Sequence, residues 1–275
     1  MVRVAALLIA LGLGGFGSVA ARPALACGSD SDCPVDGGSY RIRMPAAPKA
    51  GPGGLPAILF FHGWQSTPAD ALADADLAAV GQRLGVAVVA PEGRGKTWSY
   101  PGWRGNQRDE LAFVDAVLRD AAQRFGLDQR RLLATGFSQG GSMVWWLACA
   151  APARFAVFAP VAGAFWEPLP QKCAGPTPTL LHLHGTADTT VPMAGRWIGR
   201  QFKQGDVRQS FTVLGGQCAP LKPEKSLGDG VLACERAGPC GASRELELCL
   251  HRGGHEFSPA WVERAWLQGR RFGLL

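Results

Sequence analysis

Arg131-Leu132-Leu133-Ala134-Thr135-Gly136-Phe137-Ser138-Gln139-Gly140-Gly141-Ser142 is the stretch on which the reading of this chain turns. An apolar run ends in Gly-x-Ser-x-Gly, and a helix-like apolar pattern follows at once. A strand that becomes a helix within so few residues leaves Ser138 at the apex of the turn with its Oγ exposed. Gly136 and Gly140 suit this arrangement because a side chain at either position would collide where strand and helix cross. The expectation is a nucleophilic serine. In a chain with 37 glycines the five-residue pattern is weak by itself, so its surroundings decide.

Ala57-Ile58-Leu59-Phe60-Phe61 and Val86-Ala87-Val88-Val89-Ala90 are continuous apolar runs, as expected of strands buried on both faces of a parallel sheet. Ser39 to Met44 alternates and reads as an edge strand. Phe155 to Val161, Pro178 to Leu183 and Glu245 to Cys249 complete the strand-like runs. Between them, helical spacing is read from Thr67 to Leu84, after Asp109 to Phe125, over the segment after Ser138, from Val191 to Gln204 and from Ala260 to Phe272. Residues 206–243 give no clear pattern. Strands alternating with helices predict an α/β fold, a mostly parallel sheet with helices on both faces. Reactive groups in such sheets gather in the loops past the carboxyl ends of the strands.

A serine hydroxyl needs a base, and the base needs an acid to orient it. The chain order compatible with an elbow serine is Ser, then Asp or Glu, then His. Asp188 ends the strand-like segment His184-Gly185-Thr186-Ala187 and is the candidate acid, with Asp206 second. His255 stands in the glycine-flanked loop Gly253-Gly254-His255 and is the candidate base, while His251 reads as a strand-end residue. Oxyanion donors are expected from the backbone N–H of Gln139 and of Trp64, in the His62-Gly63-Trp64 loop. His62, His182 and His184 are expected to be structural. Trp98, Trp103 and Trp166 are candidate substrate-binding aromatics. Trp145 and Trp146 read as core.

Composition narrows the setting. A chain of 275 residues, 47% hydrophobic and carrying a net charge of +6, fits one large domain and shows no basic, aromatic-interleaved nucleic-acid surface. Residues 1–26 read as a signal peptide: Arg3, an apolar stretch from Val4 to Phe16, and Ala24-Leu25-Ala26 before the cut. Residues 27–275 would then form the single mature domain, secreted or periplasmic, with lipidation at Cys27 the lesser alternative and no stable membrane insertion. The eight cysteines all follow the cut, and an even number in an exported chain argues for disulfides. The expected pairs are Cys27–Cys33, Cys149–Cys173, Cys218–Cys240 and Cys234–Cys249. The absence of Cys-x-x-Cys spacing argues against a metal.

Taken together, Phe61-His62-Gly63, Pro91-Glu92-Gly93, Gly136-Phe137-Ser138-Gln139-Gly140-Gly141, Pro160-Val161-Ala162-Gly163, His184-Gly185-Thr186-Ala187-Asp188 and Gly253-Gly254-His255 resemble the α/β-hydrolase superfamily. Within it, the set looks like the secreted poly(3-hydroxybutyrate) depolymerase and feruloyl-esterase-like serine esterases, from about residue 38 to the end. The resemblance implies cofactor-free hydrolysis of carboxylic esters by Ser138, Asp188 and His255. Trp64 and Phe257 depart from it, since relatives often carry a smaller residue and a Trp at these positions. Many proteins of this fold insert a lid after the strand that follows the elbow helix. Only Ala164 to Thr177 separates that strand from the next here, so an open cleft without a lid domain is expected. With no linker or added binding module in this sequence, the expected substrates are hydroxyalkanoate oligomers or feruloyl and short-acyl esters. A phospholipase/carboxylesterase-like (acyl thioesterase) hydrolase and a serine peptidase of the same fold are the alternatives, and a catalytically inert binding protein is a third.

Overall fold

The computed structural model describes Met1 and residues 27–103, 108–216, 218–224, 231–238, 240 and 244–275. Apart from Met1, the expected signal peptide lies outside the described residues. A ten-stranded sheet carries the fold, in the order β1-β2-β4-β3-β5-β6-β7-β12-β11-β10. Its strands are β1 (Cys33–Val35), β2 (Gly38–Arg43), β3 (Leu55–Phe61), β4 (Ala87–Pro91), β5 (Leu127–Phe137), β6 (Val157–Val161), β7 (Leu180–Gly185), β10 (Lys222–Pro223), β11 (Ala233–Ala237) and β12 (Leu246–His251). The run from β4 to β12 is parallel, and antiparallel strands extend both edges. β2, expected as the edge, is covered by β1, which Cys33 ties back to Cys27.

The continuous apolar runs follow from helices on both faces. Along β3, Ala57, Leu59 and Phe61 enter one core while Ile58 and Phe60 enter the other. The first core lies under α3 (Glu110–Phe125), α4 (Gln139–Ala150) and α5 (Val207–Gly215). The second lies under α1 (Pro68–Ala73), α2 (Ala75–Leu84) and α6 (Pro259–Arg271). Asp109 caps α3, its Oδ1 accepting from the Ala112 N–H at 3.0 Å, and Gly126 ends it in a left-handed conformation. Among the described residues, no helix is long and apolar enough to cross a membrane.

Two helix expectations are corrected. The stretch from Thr67 to Leu84 is two helices, because Asp74 takes an extended conformation and its carboxylate accepts from the N–H groups of Asp76 and Leu77. Ala75 is therefore exposed, and Leu77, Val80 and Gly81 form the buried side. The stretch Val191–Gln204 is not a helix. Gly195 and Gly199 turn the chain at φ 70° and 60°, and β8 (Trp197–Ile198) pairs with β9 (Phe202–Lys203) as a small hairpin. The helix begins later, at Val207, where Asp206 caps α5 through the Gln209 N–H.

All eight cysteines are paired, as Cys27–Cys33, Cys149–Cys173, Cys218–Cys240 and Cys234–Cys249. Cys234 and Cys249 stand directly opposite each other on β11 and β12. Closing a 15-residue separation removes loop entropy from the unfolded chain. Replacing both by serine is expected to lower unfolding stability by about 3 kcal/mol, read from the denaturant midpoint under oxidising conditions. An unchanged midpoint would contradict this.

Candidate active site

β5 ends at Phe137 and α4 begins at Gln139, leaving Ser138 as the single residue of the turn, at φ 58° and ψ −118°. This is a costly backbone conformation for a residue with a side chain. It is held from both sides: the Ser138 N–H donates to the Val161 carbonyl of β6 at 2.9 Å, and the Ser138 carbonyl accepts from Ser142 N–H at 3.0 Å. A methyl group on Gly140 would overlap the Phe61 carbonyl oxygen, so α4 crosses the end of β3 as closely as backbones can.

The three residues named from the sequence meet here. The Ser138 Oγ lies 2.9 Å from His255 Nε2, and His255 Nδ1 lies 2.7 Å from Asp188 Oδ2. Asp188 extends from the end of β7, and its Oδ1 accepts from the N–H groups of Thr190 and Val191, both at 2.8 Å. These bonds close a local turn just past the end of β7. His255 arrives from the loop after β12. That loop is fixed to the loop after β7 by Thr186 N–H to His251 carbonyl and Ala187 N–H to Gly253 carbonyl, at 2.8 and 3.1 Å. Asp206, the second acid candidate, is at the start of α5, and His251 packs on Trp261 with ring centroids 4.7 Å apart.

Burial alone would raise the Asp188 carboxyl pKa. The His255 hydrogen bond, the Val191 N–H and the nearby imidazoles of His255 and His184 outweigh it and hold the pKa below its ordinary value. Asp188 ionised and accepting from Nδ1 leaves His255 Nε2 as the basic nitrogen facing Ser138.

Gln139 is the first residue of α4, so its N–H has no intrahelical acceptor. Trp64 lines the same cavity as Gln139 and is 58% exposed. The His62 ring holds the Trp64 loop: Nδ1 donates to the Gly63 carbonyl at 2.8 Å and Nε2 accepts from Gly93 N–H at 3.0 Å. Burial pushes its pKa down, in keeping with that neutral form.

The aromatic candidates divide. Trp103 and Trp166 pack together at 4.6 Å between ring centroids. They line a cavity of about 280 Å³ with Trp64, Ser138, Val191, Arg196 and Ile198. Trp98 does not join them. It is wholly buried, its Nε1 donates to the His62 carbonyl at 2.8 Å, and its ring packs on Phe61. Its indole found an acceptor inside the fold, so it braces the His62 loop and lines neither cavity beside Ser138. A second, wider cavity of about 430 Å³ lies on the other side of Ser138, lined by Trp64, Phe60, Phe137, His255 and Phe257, with Asp70 and Asp74.

Two contributors went unnoticed in the sequence. Thr97 accepts from Trp103 Nε1 at 3.1 Å and donates to Gln139 Oε1 at 2.9 Å, linking the cavity wall to the elbow. The β8–β9 hairpin supplies Ile198 to the same wall. It is docked by Glu167 N–H to Lys203 carbonyl and Gly205 N–H to Phe165 carbonyl, at 2.9 and 2.8 Å. The helical reading of residues 191–204 hid that wall.

The prolyl oligopeptidase family matches residues 76–167, which hold the elbow and its flanking strands but neither Asp188 nor His255. Feruloyl esterase C of Emericella nidulans is 28% identical over 179 residues, covering 63% of this chain. Feruloyl esterase D of Neurospora crassa is 27% identical over 158 residues, or 56% of this chain. The matched stretch spans 58% and 50% of the length of these two relatives. Among solved structures, the acetyl xylan esterase of Aspergillus awamori superposes with a TM-score of 0.56 at 14% identity, covering 84% of this chain and 94% of that one. The Bacillus cereus carboxylesterase gives 0.54 at 13% identity, covering 85% and 93%.

The depressed Asp188 pKa sets a pH dependence. Its contribution to stability is fully present above the ordinary carboxylate value of 3.8 and is lost as pH falls through the lower folded-state value. The stability gap between wild type and Asp188→Asn, from urea unfolding, is expected to be constant above about pH 6 and to narrow between about pH 4 and pH 2. A gap that does not vary with pH would contradict it.

Proposed function

We propose that this chain, an α/β-hydrolase by fold, hydrolyses carboxylic esters through an acyl-enzyme on Ser138. The observation that carries the reading is the continuous relay from Ser138 Oγ through the His255 ring to the buried Asp188 carboxylate, at 2.9 and 2.7 Å. Ser138 Oγ attacks the ester carbonyl as His255 Nε2 takes its proton, and Asp188 holds Nδ1–H and balances the imidazolium. The N–H groups of Gln139 and Trp64 are assigned to the oxyanion. His255 then gives its proton to the departing alcohol, and a water repeats the sequence to release the acid.

The two cavities give this reaction a direction. The leaving oxygen must sit against His255 Nε2, and His255 borders only the wider cavity of the two. The alcohol is therefore assigned to that side, and the acyl group to the narrower cavity walled by Trp64, Trp103 and Trp166. A flat aromatic acyl group suits packing against these indoles better than a short aliphatic one does. The likeness to feruloyl esterases supports the same choice. The prolyl oligopeptidase match gives a peptidase reading little support, since it covers the shared elbow core and stops before the acid and the base. Four disulfides support work in an oxidising compartment outside the cytosol.

Kinetics on a panel of feruloyl, acetyl and hydroxybutyrate esters tests both levels. Ser138→Ala is expected to lower kcat by at least about 10³-fold on every ester while the far-UV spectrum is kept. Trp103→Ala is expected to raise KM for feruloyl esters about tenfold or more and to leave acetyl esters nearly unchanged. Activity retained by Ser138→Ala would overturn the mechanism, and equal losses on all acyl groups in Trp103→Ala would overturn the acyl assignment.

A further inference from the structure

His182 and His184 are two of five histidines in the chain, and neither touches Ser138. They stand two residues apart on β7, so their side chains share one face of the sheet. Both are wholly buried. Together they bridge two backbone carbonyls through three contacts. Pro160 carbonyl oxygen lies 2.8 Å from His182 Nδ1, His182 Nε2 lies 2.9 Å from His184 Nδ1, and His184 Nε2 lies 2.7 Å from the Val191 carbonyl oxygen. A carbonyl oxygen only accepts, so His182 Nδ1 and His184 Nε2 must each carry a proton. A neutral imidazole carries one proton. With both outer nitrogens protonated, two neutral rings would face each other with bare lone pairs at 2.9 Å, in a site sealed from water. Three contacts need three protons, and two neutral rings supply two. His62 shows the contrast, since one carbonyl acceptor and one N–H donor satisfy its neutral ring completely.

We propose that His182 and His184 share a third proton, and that this buried cation adds to the His255 and Val191 hydrogen bonds in keeping Asp188 ionised with Oδ2 turned toward His255. The role assigned to the pair rests on the reading of Asp188 as the acid of the relay. His184 Nε2 lies 3.6 Å from Asp188 Oδ2, so the added charge has a carboxylate beside it. The charged or titratable groups that face the pair are Asp188 from the loop after β7, His255 from the loop after β12 and His251 at the end of β12. On the other side, the Trp145 and Phe211 rings pack on His182 at 5.3 and 6.1 Å between centroids and bring no charge. Burial pushes the pKa of each ring down, His182 furthest, so neither ring by itself favours a charge, and two imidazoliums side by side would repel as well. One proton held between the rings avoids that repulsion, completes the hydrogen bonds and is neutralised locally by Asp188. His182 and His184 are then positioning residues: they reach the reaction only through Asp188, whose Oδ2 lies between His184 and His255.

The proton count is directly measurable. Protein labelled with ¹⁵N at histidine, studied by NMR near neutral pH, is expected to show three protonated ring nitrogens among the four of His182 and His184, with His182→Gln and His184→Gln assigning the signals. Two protonated nitrogens would overturn the shared proton, and this readout needs only the wild-type protein. In ¹³C-aspartate-labelled protein, the proton affinity of the Asp188 carboxyl is expected to rise about tenfold or more in His182→Leu, because a nearby positive charge is lost. An unchanged Asp188 titration in folded His182→Leu would overturn the counter-ion role. Neither readout involves ester turnover, so a failure here is distinct from a failure of the esterase reading.

Discussion

The close crossing of α4 over the end of β3 is the constraint on which the rest depends. With no side chain at Gly140, the helix backbone rests against the Phe61 carbonyl, and the chain between β5 and α4 shortens to one residue. That residue, Ser138, is forced to a positive φ and cannot turn its side chain into either core. Relaxing the crossing would let the elbow open and the serine turn away. The conformational cost is offset by the central place of β5 between β3 and β6, whose Val161 carbonyl receives the Ser138 N–H. Strain at the reactive residue is thus supported by the best-buried strands of the molecule.

Parallel strand order does the remaining positioning. β6, β7 and β12 follow β5 in the sheet, all pointing the same way, so the loops after β7 and β12 emerge on the edge where Ser138 stands. Asp188 and His255 come from these neighbouring loops, which hydrogen-bond to each other. The far wall comes from outside this scheme. The β8–β9 hairpin is docked on the Phe165–Glu167 segment, and with Trp103 and Trp166 it makes one side of the serine a narrow apolar cavity. The other side stays wider, with His255 at its border. No lid domain is needed for the two sides to differ.

Much of this was legible in the sequence, for physical reasons. Central parallel strands are covered on both faces, so Ala57–Phe61 and Val86–Ala90 had to be apolar throughout. A relay needs its serine, acid and base in a workable order, and Ser138, Asp188 and His255 stand in that order. What was not legible depends on contacts between distant segments. Trp98 and Trp103 lie five residues apart in one loop, yet Trp98 Nε1 finds the His62 carbonyl in the core and Trp103 Nε1 finds Thr97 beside the cavity. Val191, Ala194 and Ile198 imitate a helical stripe, and two glycines at positive φ cancel it. His182 and His184 alternate as any strand residues do. Only their distances to Pro160, Val191 and each other raise the question of a third proton.

Covalent labelling tests the central claim most directly, because an activated serine reacts irreversibly with a fluorophosphonate and an inert one does not. Intact mass followed by peptide mapping is expected to find one adduct per chain, on the peptide that carries Ser138, and a strongly slowed reaction in His255→Ala. No adduct, or an adduct at another residue, would contradict the account.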